Sequence, residues 1–376
     1  MQDKKISFIT TLYNEADSVA VFLHTLLKQS RVPDEIIIVD GGSTDGTADI
    51  IKDCLEKISM VSSSDTGNAT AKPDPIPGLV RIGPDYDKKF NVELLHEYNF
   101  KGVTAIKVFR VEGARISEGR NIAIENSSNE FICVSDAGCI LADNWVEEIA
   151  SCQNSSQDKI TVTGGYNYPY IENFIQACLA VCVMPRKDEI KKDSFMPSSR
   201  NIGFSKAAWR SAGGYPVNMD YGEDMRFNFN LINSGHKINF NPGAEVYWNL
   251  RNSLPAVFRQ FFRYAKGDAI GRMYFIRHFI RFASLFFFAL LIVLSVLFSP
   301  WILFGILPVI IYFMYKPYLR INYFLDNKKV NNYMGRIKPL FLIKVIIFFT
   351  IPVMMVYTET AKLIGYLFGI AVRKNF

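Results

Sequence analysis

Through the first part of the chain, short apolar runs alternate with segments whose apolar positions recur at helical spacing. Residues 6–11 (ISFITT) predict a strand, and residues 18–29 a helix capped by Asp17. Residues 35–39 (EIIIV) predict a second strand, buried on both faces because its apolar run is unbroken, and residues 47–58 a second helix. After an irregular stretch the alternation returns, with a strand at 105–110, a helix at 118–126, a strand at 131–135 and a helix at 145–152. This order predicts an α/β fold, a Rossmann-like parallel sheet covered by helices, with ligands beyond the carboxyl ends of the strands. Residues 59–104 break the pattern. Between 62 and 85 they are largely polar and carry Pro73, Pro75, Pro77 and Pro84, so an inserted loop is expected, with a short helix at 92–98.

The last third changes character. Residues 282–315 run for 34 positions without a charged side chain. One helix of that length would measure about 50 Å, against about 30 Å of bilayer hydrocarbon. Ser299-Pro300 breaks the run into spans at 282–298 and 301–315, and a third is expected at 340–357, where Lys344 can snorkel to the interface. Residues 363–372 are short for a span, and either lie in the interface or complete a second hairpin. Residues 256–281 and 316–338 each hold six Lys/Arg against one acid, so by the positive-inside rule both face the cytoplasm. Ahead of the first span, Arg259, Arg263 and Lys266 form one helical stripe, apart from Phe258, Phe261, Phe262 and Ala265. That is the pattern of a basic amphipathic helix on an anionic membrane surface. The expected plan is a head over 1–255 with its insertion at about 59–104, an interfacial helix within 256–281, and transmembrane helices within 282–376.

Charge sharpens this division. Residues 1–255 carry a net −7 and residues 256–376 a net +13, so the overall +6 is the sum of an acidic head and a basic, apolar tail and says little about nucleic acid, which is not expected as a partner. Six cysteines, at 54, 133, 139, 152, 178 and 182, show no CxxC pair and no metal-ligand spacing, and buried reduced thiols are expected. Met1 leads within a few polar residues into a strand, with no signal-peptide core. The head is therefore expected in the cytoplasm, and the protein in the cell membrane with several spans.

Five segments carry candidate chemistry. Thr11-Leu12-Tyr13-Asn14-Glu15 follows the first strand, and Asp40-Gly41-Gly42-Ser43-Thr44-Asp45 ends the second. Asp40 can accept hydrogen bonds from a nucleotide base or ribose hydroxyl, Gly41 and Gly42 let the backbone come close to a ligand, and Ser43, Thr44 or Asp45 can cap the next helix. An ordinary glycine-rich turn has the same composition. Residues 113–121 (GARISEGRN) put Arg115 and Arg120 around a helix N-terminus, suited to a diphosphate or to a solvated surface. Asp136 ends an apolar strand, where a carboxylate can hold a divalent cation bridging two phosphates, or cap the following loop. Glu223 and Asp224, after Gly213-Gly214-Tyr215-Pro216, open a helix. They complement its dipole, or one of them serves as general base toward an acceptor hydroxyl.

In this order the segments resemble the family 2 glycosyltransferases, over roughly residues 6–267 apart from the insertion. The resemblance implies the glycosyltransferase-A fold and an inverting transfer of a sugar from a nucleotide diphosphate-sugar to a lipid-linked or glycan acceptor, in cell-envelope or exopolysaccharide synthesis. It implies that Tyr13, Glu15 and Asp40 contact the nucleotide, with Thr11, Gly42, Arg115 and Arg120 completing the donor side. Asp136 would hold Mg²⁺ or Mn²⁺ at the diphosphate, and Asp224, beside Glu223, would be the catalytic base. Gln260-Phe-Phe-Arg263-Tyr264 resembles the family's Gln-x-x-Arg-Trp segment, which borders acceptor and diphosphate. There are two departures. Gly138 replaces the second carboxylate of Asp-x-Asp, which puts the cation in question. Tyr264 replaces Trp, which with so few spans favours a single addition over polymer synthesis. The competing reading is a membrane protein that binds sugar nucleotides without turnover; the intact Glu223-Asp224 pair counts against it.

Overall fold

In a computed structural model, residues 5–63, 79–81, 89–100, 104–151, 162–331 and 340–373 are described. Most of the polar stretch at 62–85, and Cys152, lie outside them. The chain forms two compact units, Met1–Tyr168 with Lys191–Trp248, and Pro169–Ile190 with Asn249–Phe376. The elements run β1 (Ile6–Leu12), α1 (Val19–Leu27), β2 (Glu35–Asp40), α2 (Thr47–Ser63), β3 (Leu79–Arg81), β4 (Lys89–Asn91), β5 (Glu93–Phe100), β6 (Thr104–Arg110), α3 (Ile116–Glu125), β7 (Phe131–Val134), β8 (Cys139–Leu141) and α4 (Trp145–Ser151). They continue with β9 (Val162–Tyr170), α5 (Phe174–Val183), β10 (Ile202–Ser205), α6 (Lys206–Ser211), α7 (Glu223–Asn233), β11 (Ile238–Asn249), α8 (Leu254–Ile270), α9 (Phe275–Leu297), α10 (Leu307–Leu325), α11 (Lys328–Asn331) and α12 (Leu340–Val372).

The first unit is built on a nine-stranded sheet in the order β5-β6-β2-β1-β7-β10-β9-β11-β8. Its centre, β6-β2-β1-β7, is parallel. β5 lies antiparallel on β6, β10 antiparallel between β7 and β9, and β8 antiparallel on β11. The unbroken apolar runs have a direct cause, because neighbouring residues point to opposite faces and both faces are covered. Phe8, Ile36 and Ile38 pack with Phe22, Leu26 and Trp145 on one face. Ile9, Ile37 and Val39 pack with Ile122, Phe204 and Phe227 on the other.

Two expectations are corrected in this unit. Residues 92–98 are not helical: they enter β5, which pairs with β6 from Glu93 opposite Arg110 to Phe100 opposite Thr104. Tyr98 and Phe100, two apart, share a face toward the core, and the ladder to β6 outweighs any local helical preference. Asp17 does not cap α1, which starts at Val19; Ser18 holds the cap position, and its hydroxyl donates to Glu15 Oε2 at 2.6 Å. Cys133 and Cys139 are free and buried, and burial pushes the Cys139 thiol up to about 12.

In the second unit α9 ends just before Ser299-Pro300, and a 3-10 segment, Pro300–Ile306, leads into α10. The helix expected from 301 therefore begins at Leu307. Helix α12 continues through Pro352 to Val372, so residues 363–372 extend the third apolar helix and form no separate segment. Gly365 and Gly369 explain this. A Cβ at 365 would overlap the Phe262 carbonyl oxygen, and one at 369 would come within 2.7 Å of the Lys266 carbonyl, so α8 lies directly on the end of α12. Helix α8 buries Val257, Phe261, Ala265 and Ala269 while Arg259 and Arg263 stay exposed. Lys344 is tied to Asp326 at 2.6 Å. Helices α9 and α12 are long and apolar enough to cross a membrane.

Asn201 locks the antiparallel half of the sheet. Its Oδ1 accepts from Trp145 Nε1 at 2.8 Å, and its Nδ2 donates to the Tyr166 and Ala244 carbonyls at 3.1 and 3.0 Å. Asn201→Ala removes three hydrogen bonds to buried groups and should lower stability by roughly 3 kcal/mol, read as a fall in the unfolding midpoint; an unchanged midpoint would show that the lock is not needed.

Candidate active site

At the carboxyl ends of β1, β2 and β6, three loops are tied into one wall. Gly41 N–H donates to the Leu12 carbonyl at 3.0 Å, and Gly113 N–H to the Gly41 carbonyl at 3.1 Å. Asn14 N–H donates to Ser43 Oγ at 2.8 Å, Glu15 N–H to Thr47 Oγ1 at 2.9 Å, and Thr44 N–H to Asn14 Oδ1 at 2.9 Å. Gly42 has φ +94°, a conformation that L side chains rarely adopt, which favours glycine there. Asp40 is fully buried and accepts from Ser43 N–H at 3.0 Å and Ser43 Oγ at 2.6 Å, which shapes the turn. Asp45 accepts from the N–H of Thr47, the first residue of α2, at 3.1 Å. Tyr13, 60% exposed, stands out from this wall. Thr11 does not: its methyl lies where a Cβ on Gly119 would be, and its hydroxyl is buried without a partner, so it packs β1 against α3.

The centre of the site is a buried charge bridge. Arg120, 2% exposed, donates from Nη2 to Asp136 Oδ1 at 2.8 Å and from Nη1 to Glu223 Oε1 at 3.0 Å, with its guanidinium 5.2 Å from the Tyr215 ring centre. It therefore holds carboxylates and offers no open face to a diphosphate. Arg115 is likewise engaged, donating to Asp220 Oδ1 at 2.7 Å and the Val217 carbonyl at 2.8 Å, which fastens the loop before α7 onto α3. Asn121 completes the fastening. Its Oδ1 accepts from Trp209 Nε1 and Tyr215 N–H at 3.0 and 2.9 Å, and its Nδ2 donates to the Tyr215 carbonyl at 2.9 Å. Gly213 and Gly214, with φ of +76° and +74°, make the turn that brings Tyr215 there.

Glu223 and Asp224 are adjacent in sequence but differ in environment. Glu223 is buried; desolvation and the charge of Asp224 raise it to about 7 against the pull of Arg120. Asp224 is partly exposed and accepts from Ser198 Oγ at 3.2 Å. Two residues that the sequence reading missed now join the site. Ser198 touches Asp224, and Arg200 lies with Nε 3.8 Å from Asp136 Oδ2 and its guanidinium 3.8 Å above the Trp248 ring. They sit just before β10, in a stretch with no motif to single it out.

Among the described residues, no three His, Cys, Asp or Glu side chains converge as a metal-ligand set. Asp136 nevertheless keeps 30% exposure, and a Cβ on Gly138 would lie 3.9 Å from Glu15 Oε2. A second carboxylate thus borders the place where Asp-x-Asp lacks one. One or two protein carboxylates suffice for a hard cation that draws its other ligands from phosphates and water, so the residues fit such an ion. Gln260, Arg263 and Tyr264 belong to the second unit, on α8. Gln260 is buried and its Nε2 donates to Tyr264 Oη at 2.9 Å, while Arg263 and Tyr264 are exposed.

Comparison with known proteins bears on this arrangement. Residues 7–71 match the model of Glycosyl transferase family 2, and residues 143–317 that of Glycosyl transferase family group 2. "Glycosyltransferase AglE" of Haloferax volcanii is 21% identical over 238 residues, which are 62% of this chain and 64% of that relative. The match thus spans less than two thirds of the relative's length. Among solved structures, mannosyltransferase PcManGT from Pyrobaculum calidifontis, in complex with GDP-Man and Mn²⁺, superposes with a TM-score of 0.51 at 13% identity, covering 99% of this chain and 88% of that one. This likeness carries the glycosyltransferase-A fold. With family models on both sides of the Arg120 bridge and that fold between them, the chain belongs to the family 2 glycosyltransferases.

Proposed function

We propose that the protein is a membrane-bound inverting glycosyltransferase that moves one sugar from a nucleotide diphosphate-sugar to a lipid-linked or glycan acceptor in cell-envelope or exopolysaccharide synthesis. The observation that carries this reading is the pairing of a buried, Arg120-held Glu223 with a partly exposed Asp224. The solved relative binds GDP-Man and Mn²⁺, which supports a nucleotide-sugar donor and a divalent cation here. Helices α9 and α12 support the membrane, with the head on the cytoplasmic side by the charge of its flanks.

Asp224 takes the proton of the acceptor hydroxyl. The freed oxygen attacks the anomeric carbon as the bond to the diphosphate breaks on the opposite face, so the configuration inverts. The nucleotide lies along the wall of Tyr13, Glu15 and Gly42, with Asp40 buried behind it where it shapes the turn. Arg200 is at hand for the developing charge on the diphosphate, and Arg120 holds Asp136 and Glu223 in position. A divalent cation held by Asp136, with Glu15 alongside, would neutralise part of the charge on the leaving diphosphate. Glu223 acts through its charge: when ionised it pairs with Arg120 and so fixes the first turn of α7, which carries Asp224.

Asp224→Asn should reduce transfer by about a thousandfold or more, the scale of a lost general base, while donor affinity measured by calorimetry stays within a few fold. Turnover near that of the unaltered protein would remove Asp224 from its role. Donor binding should tighten on adding Mn²⁺ or Mg²⁺, and Asp136→Asn should erase that gain; a gain of equal size in the variant would place the cation elsewhere. The rate should climb with pH through about 7 as Glu223 ionises, and Glu223→Gln should flatten this limb of the kcat/KM profile at its low level. Stability runs the other way. The folded value lies above the ordinary 4.5, so the contribution is complete below 4.5 and is lost as pH rises to about 7. Glu223→Gln should remove that slope from the unfolding midpoint, and a slope that persists would assign it to another group.

A further inference from the structure

Between α8, α9 and α12, with the end of α5, the second unit holds a partly open cavity of about 340 Å³. Its wall is charged, although α9 and α12 are long and apolar enough to cross a membrane. Asp268 comes from α8, Arg277, His278 and Arg281 from α9, and Glu359 and Lys362 from α12. Three basic side chains, Arg277, Arg281 and Lys362, thus face two carboxylates. Glu359 is shared, accepting from Arg281 Nε at 2.8 Å and Lys362 Nζ at 2.6 Å. Asp268 is taken by His278 Nε2 at 2.9 Å, and the His278 ring stacks on Tyr366 at 3.8 Å. Among the described residues, Arg277 meets the ring of Tyr274 at 4.0 Å and no carboxylate.

Arg281 and Lys362 share Glu359, and Arg277 is exposed with no carboxylate on it among the described residues, so its guanidinium can turn to an added anion. The guanidinium groups of Arg277 and Arg281, one helical turn apart, and the ammonium of Lys362 converge on one cavity from two helices. That suits an oxyanion with several acceptor oxygens, which phosphate is. The volume lies within the about 300–1,000 Å³ of small-molecule sites. Phe275, Ile276 and Phe279, on the same turns of α9 as Arg277 and His278, are more than half exposed and offer apolar surface for acyl chains. We propose that this cavity binds the phosphate headgroup of a lipid, with Arg277, Arg281 and Lys362 as donors. The lipid source rests on the membrane reading given above.

The test uses full-length protein in a neutral detergent, titrated with a short-chain phosphatidic acid, the matching diacylglycerol and inorganic phosphate. Phosphatidic acid should bind, diacylglycerol should not, and inorganic phosphate should compete only weakly. Arg277→Gln and Lys362→Gln should each weaken phosphatidic acid about tenfold, the weight of one charge-assisted hydrogen bond. Arg277→Gln breaks no ion pair, so it remains informative where Lys362→Gln fails to fold. Equal binding by the unaltered protein and a folded Arg277→Gln variant overturns the site. Inorganic phosphate binding as tightly as the lipid overturns the lipid source. Release of the chain from membranes by alkaline carbonate overturns the membrane reading and the lipid source with it. A membrane-retained chain whose binding ignores Arg277 overturns the site alone.

Discussion

Arg120 is buried with its two terminal amino groups on Asp136 and Glu223, and a charge in that setting has to keep both partners. Removing one partner of such a buried pair costs about 3–5 kcal/mol, because the remaining charge is stranded away from water. The end of β7, the first turns of α3 and the N-terminus of α7 are therefore held in one register, although they are far apart in sequence. Asn121, the next residue along α3, clamps the backbone of Tyr215 in the turn that leads to α7. The ring of Tyr215 in turn stacks on Phe227 at 4.1 Å, so packing and polar bonding fix the same geometry.

The bridge also separates two neighbouring acids. Glu223 points into protein, where desolvation favours its neutral form, and Asp224 points toward Ser198 and solvent. Two carboxylates placed side by side in unlike surroundings can take different roles, as proposed above for this pair. The wall made by the loops after β1, β2 and β6 does different work. Its hydrogen bonds run mainly from loop to loop, so its shape is settled before any ligand arrives, which lowers the ordering cost of binding.

The second unit follows another constraint. Gly365 and Gly369 let α8 approach α12 at backbone distance, and this contact turns Phe261 and Ala265 inward and leaves Arg259 and Arg263 outside. The same approach brings Asp268 beside His278, so the charged cavity and the glycine contact belong to one packing arrangement.

The parallel centre of the sheet was legible because Ile36–Val39 and the runs around it are apolar without a break, and only a strand covered on both faces calls for that. The apolar tail was legible from 34 uncharged residues between basic flanks. Local pattern did less well where pairing partners decide the outcome: residues 92–98 became a strand because β6 was there to pair with, and α12 ran on to Val372 because α8 packs against its glycines. Of the site, the sequence determined the order of its motifs and the chemistry each could offer. Direction was left to tertiary structure. Arg115 and Arg120 are alike on paper, yet one ties a loop at the surface and the other lies buried between two acids. Ser198, Arg200 and the approach of Glu15 to Gly138 depend on separate strands meeting at one end of a sheet, and no spacing along the chain records a distance through space.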